Sequence, residues 1–163
     1  MWPYEVEDVE AASAGDLSSD ATDLAETLAL RRVELDGLAS RIKTFAEAHD
    51  GDPQALGQVF AHVFDSLSTR RTRIIKGIEK FSLGQIALAE RIDAARLEME
   101  TLLAADEPDY DRVDKLEEQL DWDQVIYTDR QRSITYLCET PNLLERRLFS
   151  IAQMLQFEVR DEG

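Results

Sequence analysis

The chain has 163 residues, 44% hydrophobic and 32% charged, with a formal net charge of −16. That is enough apolar sequence for one domain with a sizeable core, while seven Gly and four Pro leave little turn chemistry for a β architecture. The acidic balance disfavours nucleic acid and anionic membrane surfaces as partners.

A single cysteine, Cys138, has no second thiol in the chain to pair with, which points to a reducing compartment. No apolar run approaches the roughly 20 residues of a membrane span. The first residues lack the basic and apolar regions of a signal peptide. A cytoplasmic protein is therefore expected.

Residues 1–19 carry acids and no bases, and are expected to form a disordered acidic arm. Within it, Trp2-Pro3-Tyr4 precedes Glu5, Glu7, Asp8 and Glu10. Trp2 and Tyr4 read as aromatic anchors of a docking arm; the plainer alternatives are a tail or aromatics folded back on the bundle. Residues 20–163 are expected to form a single helical-bundle domain.

The first helix is predicted over about 20–49, starting at Ser18 to Asp20, where a side-chain oxygen can accept orphan backbone N–H groups. Its stripe is Leu24, Leu28, Arg31, Leu35, Leu38, Ile42 and Phe45. Asp50-Gly51-Asp52-Pro53 is a turn, with Asp52 suited to the N-cap and Pro53 to the first helical position, which needs no N–H.

Two longer helices follow, over about 54–105 and 109–157. Their apolar positions alternate in steps of three and four. The first stripe runs Phe60, Phe64, Leu67, Arg71, Ile74, Ile78, Phe81, Gln85, Leu88, Ile92, Ala95, Met99 and Leu102. The second runs Val113, Leu116, Leu120, Asp123, Tyr127, Arg130, Ile134, Leu137, Pro141, Leu144, Leu148, Ile151 and Leu155.

This is the 3.5-residue period of packed helices. Joined by the short Glu107-Pro108-Asp109 turn, the stripes specify an elongated antiparallel helical hairpin, coiled-coil-like and all-α. Position numbers summing to 215 align the whole seam. That register puts Gln85 opposite Arg130 in one polar layer and Asp123 beside Arg91. Pro141 is expected to kink or break the last helix.

A helix of about 52 residues rises roughly 78 Å, so the shorter first helix covers only half of the hairpin and makes a three-helix bundle at one end. The uncovered half carries apolar residues off the seam. Leu83, Ile86, Leu97 and Leu103 lie on one arm, and Trp122, Val125 and Ile126 on the other. Two helices alone bury too little surface to be stable over that length. A partner-binding face at Leu83, Ile86, Leu97, Trp122, Val125 and Ile126 is expected, with a homodimer as its simplest form; the plain alternative is scattered surface residues.

Arg70, Arg71, Arg73, Lys76 and Lys80 form the densest basic patch, with Arg146 and Arg147 across the hairpin. An acidic partner or the chain's own arm could meet it, and a solvated helix face explains it as well. Residues 106–129 hold ten acids against Arg112 and Lys115, at helical spacing that fits a solvated tip and no EF-hand.

No metal site, cofactor motif or nucleophile motif occurs. His49 and His62 make no Glu-x-x-His pair, and Cys138 reads as a small packed residue. The chain is read as a non-enzymatic protein–protein interaction module: an adaptor, scaffold or regulatory subunit. One alternative is an acidic nucleic-acid mimic that inhibits a DNA- or RNA-binding protein. A second is a helical-bundle enzyme, whose only polar candidate is the Gln85–Arg130 layer with Asp129.

Overall fold

The computed structural model describes residues 2–3 and 18–160, and every regular element among them is helical. Helix α1 is Ser19–Ala29, followed by a 3-10 turn at Leu35–Gly37. Helix α2 is Ala39–Ala48, α3 is Pro53–Leu103 and α4 is Tyr110–Phe157. The chain divides into two compact units: Met1–Thr72 with Pro141–Gly163, and Arg73–Thr140. Residues 4–17 of the expected acidic arm lie outside the described residues.

In the first unit, α1 starts where Thr22 N–H donates to the Ser18 carbonyl at 3.0 Å. Asp20, in the first turn, suits the positive end of the helix dipole. Hydrogen bonds from the Ser18 side chain and then from His49 hold its carboxyl down at about 2. His49 Nε2 lies 2.9 Å from Asp20 Oδ2 and joins the start of α1 to the end of α2.

The helix predicted over 20–49 is interrupted between Ala29 and Ala39. Carried through, it would have set Arg31 in the apolar stripe. Instead the backbone turns extended at Leu30 (φ −75, ψ 111), Arg31 is exposed and Leu38 is buried.

Arginines from α3 and α4 hold that break open. Arg147 donates from Nε to the Leu28 carbonyl at 2.8 Å and from Nη1 to the Val33 carbonyl at 2.9 Å. Arg70 Nη1 donates to the Ala29 carbonyl at 3.1 Å. Leu28 and Ala29 carbonyls that a longer helix would use internally are satisfied by guanidinium groups.

The turn after α2 forms as the sequence predicts. Asp50 (φ 54) and Gly51 (φ 73) take left-handed backbone, the usual way to end a helix. Asp52 then caps α3, accepting Gln54 N–H at 3.0 Å and Ala55 N–H at 3.2 Å. Buried side chains of this unit come from all four helices, among them Leu24, Leu28, Ile42, Leu56, Val63, Leu144, Ile151 and Leu155. Arg71 also pairs with Glu145 at 2.7 Å.

The second unit holds the middle and end of α3 against the start and middle of α4. The helices run antiparallel. Asp109 caps α4, accepting Arg112 N–H at 3.1 Å. The Arg112 side chain reaches back to Glu98 at 2.7 Å, and Arg91 Nε donates to Asp123 Oδ2 at 2.8 Å. These pairs sum to 210 and 214, close to the register read from the seam. Leu88, Ile92, Ala95, Val113 and Leu116 are buried along it.

Helix α4 continues through Pro141, which is buried, so no break occurs there. The Thr140 hydroxyl bonds the Tyr136 carbonyl at 3.2 Å in the turn that leads into the proline. The division between the two units falls between Thr140 and Pro141.

Candidate interaction surfaces

The second unit is thinly cored. Of the eleven largest fully buried side chains, only Leu116 belongs to it. Beyond the seam residues, several of its large apolar side chains face outward. Leu83, Ile86 and Leu97 are 61%, 56% and 66% exposed, and Trp122, Val125 and Ile126 are 66%, 55% and 38% exposed.

At about 100° per residue, Leu83, Ile86 and Leu97 fall on one side of α3, roughly opposite its seam with α4. Trp122 and Val125 fall likewise on the back of α4, with Ile126 nearer the seam's edge. The six residues expected to share one face therefore form two stripes that point away from each other. Tyr136, 74% exposed, extends the α4 stripe. The sequence carries that signal, since Trp122, Asp129 and Tyr136 follow at intervals of seven, but attention to the seam alone passes over it.

Arg91 and Asp123 form the ion pair of this unit with the most buried member. Asp123 is 5% exposed on the seam, and the Arg91 guanidinium grips both carboxylate oxygens. This fork holds the Asp123 carboxyl below its usual range against the opposing effect of burial.

The expected Gln85–Arg130 layer does not form. Gln85 donates instead to the Tyr127 carbonyl at 3.1 Å. Arg130 is exposed, and its Nη1 lies 3.9 Å from where a Cβ on Gly84 would be. With no side chain at Gly84, the long Arg130 stem passes over the backbone to water. Asp129 faces Arg132 at 3.7 Å, so no convergent polar cluster assembles around these residues.

The basic patch is dispersed in the same way. Arg70 and Arg147 turn inward to the carbonyls at the end of α1, and Arg71 is taken by Glu145. Burial pushes the Arg147 pKa down, with Glu34 opposing and Arg70 assisting that shift. Arg73, Lys76 and Lys80 are exposed and make no ion pair among the described residues.

Cys138 is exposed and not packed as expected, because one step off a two-helix seam turns a side chain about 100° away from it. The described residues contain no group of three or more His, Cys, Asp or Glu placed to hold a metal ion, the acids of 106–129 included. No helix among them is long and apolar enough to cross a membrane.

Trp2 is placed on the first unit, its ring stacked on Phe60 with centroids 5.3 Å apart and planes 14° apart. Tyr4, the other expected anchor, lies outside the described residues. The first unit also has an apolar cleft of about 330 Å³ lined by Ala39, Ile42, Gln153, Met154, Phe157 and Glu158. Comparison with known proteins finds no family model, curated protein or solved structure that matches this chain.

Proposed function

We propose that this protein is a non-enzymatic protein–protein interaction module, an adaptor or regulatory subunit of the cytoplasm, and that Arg73–Thr140 carries the interaction. The observation behind the reading is the mismatch within that unit. It has one of the eleven largest fully buried side chains among the described residues, yet it exposes Leu83, Ile86, Leu97, Trp122 and Val125 by more than half. Large exposed apolar stripes rimmed by charge are the usual mark of an association surface.

The reading takes α3 and α4 as a coiled-coil-like hairpin, with the N-terminal helices completing a three-helix bundle as its anchor. A second copy of the chain is the first partner. Because the stripes face opposite ways, each could meet a different neighbour: one a second copy, the other a further protein. Neither nucleic-acid binding nor membrane insertion belongs to it.

The test is molar mass by light scattering at micromolar concentration for the wild type, Leu83→Glu and Trp122→Glu. A dimer that one substitution dissociates, with helix content unchanged, supports the reading. A wild type that stays monomeric, and loses no protein partner from its native extract on either substitution, overturns it.

A further inference from the structure

We propose that the aromatic surface at Phe60 and Phe64 is a docking seat for a tryptophan-bearing peptide segment, and that Trp2 of the chain's own N-terminus fills it in cis. The proposal rests on the reading of the protein as an interaction module, and it concerns the first unit only.

The occupant's chemistry is visible in the structure. The Trp2 ring lies nearly parallel to Phe60 at 5.3 Å, an offset-stacking distance favourable for aromatic pairs beyond the area they bury. Phe64 adjoins Phe60 at 6.2 Å and is still 46% exposed, so the seat extends past what Trp2 covers. Phe64 is also a seam position of the α3 stripe, and it is the most exposed large apolar residue of that stripe.

Fixing the backbone and side chain of Trp2 costs conformational freedom. The area an indole can bury, of order 150–250 Å² when complete, is large enough to offset that loss.

Residues 4–17 tie Trp2-Pro3 covalently to Ser18. A segment on the same chain as its seat competes through a local concentration rather than a bulk one. A partner segment of the same kind must outcompete it. The cis indole thus sets a threshold, and partners with only weak affinity for the seat are excluded until Trp2 leaves.

The probe is a synthetic peptide of residues 1–10, labelled with fluorescein at its C-terminus and followed by anisotropy. The full-length Trp2→Ala chain, whose seat is vacant, should bind it at least tenfold more tightly than the wild type. The same peptide with its tryptophan replaced by alanine should not bind. Phe64→Ser in the Trp2→Ala chain should weaken binding at least fivefold with unchanged far-ultraviolet dichroism; if that variant loses helix, Phe64→Leu, which keeps the bulk and removes the ring, should weaken it too.

Equal binding by wild type and Trp2→Ala, or equal binding of the alanine peptide, overturns the proposal. In a Trp122→Phe chain Trp2 is the sole indole, and it should be quenched by acrylamide less than in the free peptide; equal quenching also overturns it. A dimer that dissociates on Trp2→Ala would place the indole on a second copy and overturn the cis arrangement. Leu83→Glu and Trp122→Glu should leave peptide binding to the Trp2→Ala chain unchanged, which separates failure of this seat from failure of the unit-two surface.

Discussion

Asp123 is a carboxylate set among apolar neighbours on the α4 seam, and its partner Arg91 reaches it from the half-exposed flank of α3. Such pairs combine attraction with a desolvation penalty, so apolar replacement of the buried member can be neutral, whereas removal of only the partner strands a charge. Asp123→Leu should therefore leave the melting temperature near that of the wild type at pH 7, and Arg91→Leu should lower it more. The fork lowers the folded pKa of Asp123. Its stabilisation is thus present above the ordinary carboxylate pKa of about 4 and is lost as pH falls through the folded value. The wild type should lose melting temperature relative to Asp123→Leu between pH 5 and pH 2, as calorimetry can follow.

Two glycines make a contrasting pair at the same scale. A Cβ on Gly77 would meet nothing within 4 Å on α3, so Gly77→Ala should raise stability by about 1 kcal/mol through helix propensity. A Cβ on Gly51 would lie 2.7 Å from Arg160 Cγ, on backbone at φ +73. Gly51→Ala should cost more than about 1 kcal/mol. Urea denaturation of the two variants reads both signs.

At the scale of elements, what could be read from the sequence divides by range. The α3 and α4 seam follows from a local period. Leu67, Leu88, Ile92, Ala95, Val113, Leu116, Leu144, Leu148, Ile151 and Leu155 are buried as the stripe requires, while Ile74, Ile78, Phe81, Leu120, Tyr127 and Ile134 are half-buried and Phe64 and Leu137 exposed. The cap at Asp52 was likewise legible, since it bonds an N–H two residues on. The interruption of the first helix was not legible. Its cause is Arg147, which is 119 residues from Leu28 and 114 from Val33. The continuity of α4 through Pro141 was hidden for a related reason: the cost of an internal proline, about 3 kcal/mol, is visible in sequence, but the burial that offsets it is not. The apolar residues of the candidate surface were legible one by one, but their division into opposite stripes needed the seam as reference. Arg147→Met should expose how much the arginine clamp contributes. Loss of two charge-assisted bonds leaves Leu28 and Val33 carbonyls without them, a cost of about 3 kcal/mol, and amide exchange at the end of α1 should rise first.

For the molecule as a whole, a formal charge of −16 opposes any association of like copies. The Debye length shortens from about 10 Å at 0.1 M salt to about 3 Å at 1 M. If two copies meet through apolar stripes, added salt weakens the repulsion and leaves the burial intact. The dimer fraction should rise between 0.05 and 0.5 M sodium chloride, as sedimentation equilibrium would show. Dissociation over that range would mean that ion pairs between copies dominate the contact.

The arginine clamp on α1 also orders events in time. The carbonyls of Leu28 and Val33 find their donor 119 and 114 residues away, so the native end of α1 waits on a contact of long sequence separation. A contact closing over a hundred residues is slow to form, so in refolding followed by pulsed amide exchange the end of α1 should gain protection later than the Asp52 cap.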